Sequence, residues 1–126
     1  MMKMKTANIL RKIAIYALPL FVLSSLALAG ETTSDRKPVP QDALIVDVRT
    51  EAEYQSGHYP GAKNIPLSRI TDRILEFGPT DKTVVVYCRS GRRSGIAEKI
   101  LKDAGYLNTI NGGGLHEMLR QAQDNQ

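Results

Sequence analysis

Most of the chemistry this chain can do centres on one residue. Cys88 is the only cysteine in 126 residues, and three arginines follow it within five positions in the run Cys88-Arg89-Ser90-Gly91-Arg92-Arg93, with Ser94 next. A lone thiol has no disulfide partner in its own chain and excludes CxxC and multi-cysteine zinc sites. The two histidines, His58 and His116, stand far apart in the sequence and do not supply a metal set. What remains is a nucleophile. A thiol ionises where positive charge, a helix N-terminus or amide donors surround the sulfur. Arg89, Arg92 and Arg93 bring the charge, Gly91 permits a tight turn or close backbone approach, and Ser94 is placed to cap a helix or to donate to a bound anion. Two unit charges ~4 Å apart are worth roughly 4 kcal/mol at an effective dielectric of 20, and much less once water screens them. Even the screened value matters for a small dianion meeting three cations. An inert, buried cysteine at a strand end is the bland alternative, but it needs neither the arginines nor the glycine.

The flanking pattern explains how such a loop would be held. Val84-Val85-Val86-Tyr87 is an unbroken apolar run, as expected of a parallel strand covered on both faces. After the loop, Ile96, Ala97, Ile100, Leu101 and Ala104 form one helical stripe from Ser94 toward Ala104, with Gly105 at its end. Upstream, Ala43-Leu44-Ile45-Val46 reads as another buried strand ending at Asp47-Val48-Arg49. Thr50 and Glu53 then fit a capping box for a short helix stopped by Gly57. Asn64-Ile65-Pro66 is a brief extended piece. Ile70, Ile74 and Phe77 predict a second helix capped by Ser68 and ended by Gly78-Pro79. Tyr106 to Ile110 reads as a strand, Asn111-Gly112-Gly113-Gly114 as a turn, and Leu115 to Gln121 as a last short helix. This alternation implies an α/β fold, a small parallel sheet flanked by helices. Ligands in such sheets sit beyond the carboxyl ends of the strands, and Cys88 falls there.

The first 29 residues read as an address. A basic stretch to Lys12 precedes an apolar run from Ile13 to Leu26, and Ala27-Leu28-Ala29 forms an A-x-A site. That is the tripartite form of a signal peptide cleaved after Ala29. The apolar run, about 14–17 residues, is short for a ~30 Å hydrocarbon core, so no stable membrane anchor is expected after cleavage. Residues 30–40 read as a polar linker and 41–122 as the folded domain. Export implies an oxidising compartment, the periplasm if the source is a Gram-negative bacterium. Lys3, Lys5, Arg11 and Lys12 supply the whole net charge of +4, and the rest of the chain is formally neutral, so a nucleic-acid footprint is not supported.

The ordered set of motifs resembles the rhodanese superfamily in its single-domain form. Its elements are Asp47-Val48-Arg49, Glu53 to Ala62 with Asn64-Ile65-Pro66, the loop Cys88 to Arg93 with Ser94, Gly105-Tyr106 and Gly112-Gly113. Together with the export signal, they are similar to the periplasmic thiosulfate sulfurtransferases of that superfamily. The resemblance implies a Cys88 thiolate that takes the sulfane sulfur of thiosulfate as a persulfide and passes it to cyanide or a thiol, a protein thiol included. A non-turnover sulfur carrier or binding module of the same type is the alternative. No metal or organic cofactor is implied. Cys88 would be catalytic, and Arg89, Ser90, Gly91, Arg92, Arg93 and Ser94 would bind substrate, with Asp47 and Arg49 in support. Arg93, nearest the helix, is the arginine expected to pair with Glu53 or Asp47 instead of substrate. Family members that transfer sulfur carry six loop residues counted from the cysteine. Related phosphatases and arsenate reductases carry seven and end in Cys-x5-Arg; here Ser94 stands where that arginine would be. His58 reads as a structural histidine, His116 as surface and Met118 as core. The family often has Trp a few residues past the Gly-Gly pair; this chain has Leu115-His116-Glu117-Met118 there.

Overall fold

The computed structural model describes residues 38–126. The signal-peptide reading and the linker reading up to residue 37 fall outside the described residues. Among the described residues, no helix is long and apolar enough to cross a membrane.

Four strands, β1 (Leu44–Asp47), β2 (Lys63–Asn64), β3 (Val84–Cys88) and β4 (Thr109–Gly114), pair in parallel in the order β2-β1-β3-β4. Helices α1 (Glu51–Gln55), α2 (Arg92–Asp103) and α3 (Leu115–Asp124) alternate with them. The expected small parallel sheet flanked by helices is therefore present. The chain steps from β1 to β2 on one side and returns to β3 on the other. The strand order thus reverses between β1 and β3, where open parallel sheets leave a crevice at their carboxyl ends.

Alternation along β3 sorts the core into two layers. Val84, Val86 and Cys88 face a cluster with Val46, Val48, Ile65, Ile70, Phe77, Ala97, Leu101 and Tyr106. Val85 and Tyr87 face the other side, with Ala62 and Met118, and there the partly buried Val39, Ala43, Ile45, Tyr59, Ile110 and Leu115 join them. All five β3 residues are buried, which is why this segment reads as a continuous apolar run. The same alternation sends Cys88 toward α2 and Tyr87 toward α3.

Three local expectations are corrected. The helix expected over Ser68–Phe77 is a pair of 3-10 turns, Leu67–Arg69 and Ile74–Phe77. Ile70 and Phe77 are fully buried there, so the apolar spacing was real. Thr71 and Asp72, both weak helix formers, interrupt it. The strand expected at Tyr106–Ile110 lies later, and Asn111 to Gly114 belong to it rather than to a turn. Asn111 pairs with Val86 and Gly113 with Tyr87, so Gly112 is an extra residue on β4, a bulge. A side chain at Gly112 would run into Met118 Sδ and Val85; the glycine lets α3 close over the sheet. Finally, α2 begins at Arg92 with Gly91 as its N-cap, not at Ser94.

Candidate active site

Cys88 is the last residue of β3 and Gly91 caps α2, so only Arg89 and Ser90 separate strand from helix cap. So short a connection forces the backbone to wrap tightly over the sulfur. Gly91 has φ +95°, the left-handed region where a side chain is strained. Gly114 makes the second allowance: a Cβ there would collide with the Arg89 carbonyl oxygen, so its absence lets the loop rest on the end of β4.

The result is a cup of donors around one atom. The Gly91 amide donates to Cys88 Sγ at 3.0 Å, and the Ser94 hydroxyl lies 3.4 Å from it. The backbone N–H groups of Ser90 and Ser94 also bear on the sulfur. Cys88 is completely buried, and burial alone pushes its thiol up. The Ser94 hydroxyl, together with the amides of Ser94, Ser90 and Gly91, outweighs that, so the thiol titrates below its ordinary value. The positive end of the 12-residue α2 lies behind these donors.

The three arginines diverge. Arg93 turns to α1, where Nη1 and Nη2 meet Glu53 Oε2 and Oε1 at 2.8 and 2.9 Å. Its positive charge still acts on Cys88. Glu53 is also the acid of the α1 capping box, bonded to the Thr50 amide and hydroxyl at 3.0 Å each. Arg89 on the loop and Arg92 at the start of α2 are exposed, and neither has an acidic partner within 4.0 Å among the described residues. Ser94, expected as a helix cap, is the third residue of α2, in its first turn and fully buried, with its hydroxyl 3.4 Å from the sulfur.

The hydrogen bonds and the ion pair of the Asp47 and Arg49 side chains go to each other, to Tyr87 and to Gly57 and not to the loop. The fully buried Asp47 carboxylate accepts from the Arg49 amide at 2.9 Å, from Arg49 Nε and Nη2 at 3.0 and 2.6 Å, and from the Tyr87 hydroxyl at 2.8 Å. Arg49 Nη2 also donates to the Gly57 carbonyl, and the Tyr87 oxygen accepts from the Tyr59 amide at 2.9 Å. They hold Tyr87, the neighbour of Cys88, and so reach the site through the strand. His58 stacks on Tyr54 at 3.7 Å between ring centroids, and its Nδ1 meets the Tyr54 carbonyl oxygen. His116 is exposed and Met118 buried. Among the described residues, no three His, Cys, Asp or Glu side chains group as metal ligands.

One residue escaped the sequence reading. The Asn111 amide nitrogen donates to the Gly91 carbonyl at 3.1 Å, and its oxygen accepts from the Gly113 amide at 2.9 Å and lies 2.7 Å from Ser94 Oγ. Asn-Gly normally signals a turn. The one cue against that was an amide side chain, able both to donate and to accept, beside a glycine run.

The profile of the Rhodanese-like domain matches residues 32–119. The chain is 45% identical over 74 residues to the thiosulfate sulfurtransferase PspE of Escherichia coli (strain K12), across 58% of this chain and 71% of that protein. It is 42% identical over 82 residues to a sulfurtransferase of Allochromatium vinosum, across 65% and 76% of the two chains. A solved rhodanese with anions from E. coli matches with a TM-score of 0.57 at 42% identity, over 60% of this chain and 89% of that one. The human single-domain sulfurtransferase TSTD1 matches with a TM-score of 0.58 at 27% identity, over 63% and 82%.

Proposed function

The chain belongs to the rhodanese-like domain family, and from that membership we propose that it is a thiosulfate sulfurtransferase working through a Cys88 persulfide. The observation that carries this reading is the six-residue loop Cys88 to Arg93, whose amides and neighbouring Ser94 hydroxyl converge on a buried sulfur.

The first step is attack of the Cys88 thiolate on the outer sulfur of thiosulfate. The Sγ–S bond forms as the S–S bond of thiosulfate breaks, and sulfite leaves with the bonding electron pair. The thiolate's single negative charge ends on the outer sulfur of the persulfide, about 2 Å beyond Sγ. Charge therefore moves outward along the cup, and fixed amide dipoles can follow it without reorganising. Arg89 and Arg92 draw the incoming dianion and offset the charge of the departing sulfite. Cyanide, or an acceptor thiolate, then attacks the outer sulfur and takes it away as thiocyanate or a new persulfide, and Cys88 returns as thiolate. Two half-reactions through one covalent intermediate imply ping-pong kinetics. The PspE relative, named for thiosulfate, and the tripartite N-terminal sequence support the choice of donor and an exported location.

Mass spectrometry of the protein incubated with thiosulfate tests the reading. One added sulfur on Cys88, discharged by cyanide with equimolar thiocyanate, is the expected result. Hydrolysis of an aryl phosphate without sulfur loading would overturn it. So would loading from a protein persulfide with no loading from thiosulfate.

A further inference from the structure

Ser94 is fully buried with three acceptors in reach: Asn111 Oδ1 at 2.7 Å, Cys88 Sγ at 3.4 Å and the Gly113 carbonyl at 3.5 Å. A hydroxyl has one proton and donates one such bond at a time. Which way the Asn111 amide points is not open to choice. Its oxygen faces a backbone N–H, that of Gly113, and its nitrogen faces a backbone carbonyl, that of Gly91; neither can exchange roles. Asn111 therefore presents a fixed acceptor to the same hydroxyl that bears on the sulfur. Gly95 on α2 lies alongside, where a Cβ would meet Asn111 Nδ2 at 3.4 Å, an ordinary contact.

We propose that Asn111 is a positioning residue that acts through Ser94: it competes with Cys88 for the Ser94 proton, so that the hydroxyl turns to the sulfur while Sγ is charged and back to Asn111 when Sγ is neutral. This deepens the sulfur-transfer reading and rests on it. During the cycle, Sγ is anionic before attack and neutral once the outer sulfur carries the charge. A hydrogen bond to an anion outweighs one between neutral partners, so the rotation follows the charge. The benefit is balance, because a thiolate held too firmly is a weaker nucleophile.

The test is the pH midpoint of Cys88 alkylation by iodoacetamide, measured in a double-mutant cycle. Asn111→Ala removes the competing acceptor and should lower the midpoint by about half a unit to one unit, the worth of one hydrogen bond. Asn111→Asp strengthens the acceptor, while giving up the donor to the Gly91 carbonyl, so it should raise the midpoint. Both shifts should shrink when Ser94 is also replaced by Ala, with the Asn111→Ala shift vanishing. The charged groups near the sulfur are common to both backgrounds: Arg89, Arg92 and Arg93 on the loop and α2, Glu53 on α1, Asp47 on β1, and Glu117 on α3, which accepts from the Gly114 amide; β4 carries none. The cycle cancels them. Equal shifts with and without the Ser94 hydroxyl, or a raised midpoint in Asn111→Ala, would overturn the proposal and leave Asn111 a structural prop. Asn111→Asp keeps the question decidable if Asn111→Ala does not fold. Thiosulfate loading of the unmutated protein is measured alongside. Its absence would sink the sulfurtransferase reading, whereas loading without Ser94-dependent shifts would sink this one.

Discussion

Tyr87 and Cys88 are neighbours in sequence, project to opposite faces of one sheet, and sit in polar surroundings built on opposite plans. Around Tyr87 the polar groups close on one another. Asp47, Arg49, the Tyr87 hydroxyl and the Tyr59 amide satisfy each other within hydrogen-bond distance, and the buried carboxylate meets a guanidinium. Around Cys88 donors predominate: three amides and a hydroxyl bear on a single sulfur, while Arg89 and Arg92 have no acid of their own among the described residues. A network that closes on itself fixes position. A surplus of donors is a receptor awaiting negative charge, and the side that is incomplete is the side that works.

The largest effects separate the two sides cleanly. Cys88→Ser should abolish sulfur loading and thiocyanate formation while leaving the unfolding midpoint near that of the parent, since the exchange is nearly isosteric. Asp47→Ala should do the reverse. Removing one partner of a buried ion pair strands the other, at a cost of about 3–5 kcal/mol. Urea unfolding measures this, and protein that remains folded should still load sulfur. If Asp47→Ala kept full stability and lost only sulfur transfer, the closed network would belong to the receptor and the contrast would fail.

Arg92→Ala and Arg89→Ala sharpen the receptor side. Each should raise KM for thiosulfate several-fold with little change in kcat, because exposed charges attract the dianion more than they stabilise the reacting bonds. The effect should be larger at low ionic strength, where the Debye length is about 30 Å at 0.01 M salt against about 10 Å at 0.1 M. Initial rates at two salt concentrations decide it. A KM indifferent to both substitution and salt would leave only the backbone cup to bind substrate.

The same contrast explains what could be read from sequence. Val84 to Tyr87 are buried on both sides and therefore apolar without interruption, so the strand that carries the cysteine was legible, as were Thr50 and Glu53, whose capping box is purely local. The loop could be read because its cations and glycine serve no core. What escaped was settled by long-range contact. Asn111 to Gly114 carry turn chemistry, yet pairing with β3 draws them into a strand, and the glycines are there to admit Met118 and the Arg89 carbonyl. The role of Asn111 depends on Gly91 and Ser94, 20 and 17 residues away, separations at which no local pattern forms. Ser94 looked like a cap because a serine at a helix start usually is one; the tightness of the loop moved the cap to Gly91.

Glu53 and Arg93 lie between the two plans, an ion pair placed at the edge of the receptor, and the smallest prediction concerns them. The Arg93 guanidinium, followed by the Thr50 amide, lowers the Glu53 carboxyl from 4.5 to about 2. A carboxylate whose folded value is depressed contributes stability that is complete above its unfolded value and is lost as pH falls through the folded one. The contribution should therefore be full above about pH 4.5 and should decline toward pH 2. Both side chains are about one-third exposed, so water screens the pair and its worth is at most about 1 kcal/mol. Glu53→Gln isolates the charge, since glutamine still serves a capping box. Urea unfolding should find the variant less stable than the parent by up to that amount at pH 7, with the gap narrowing below pH 4.5. Freed of its partner, Arg93 should join Arg89 and Arg92 in facing thiosulfate, and KM should fall modestly. A gap that stayed constant with pH, or a KM that rose, would show that Arg93 belongs to the scaffold whatever its charge faces.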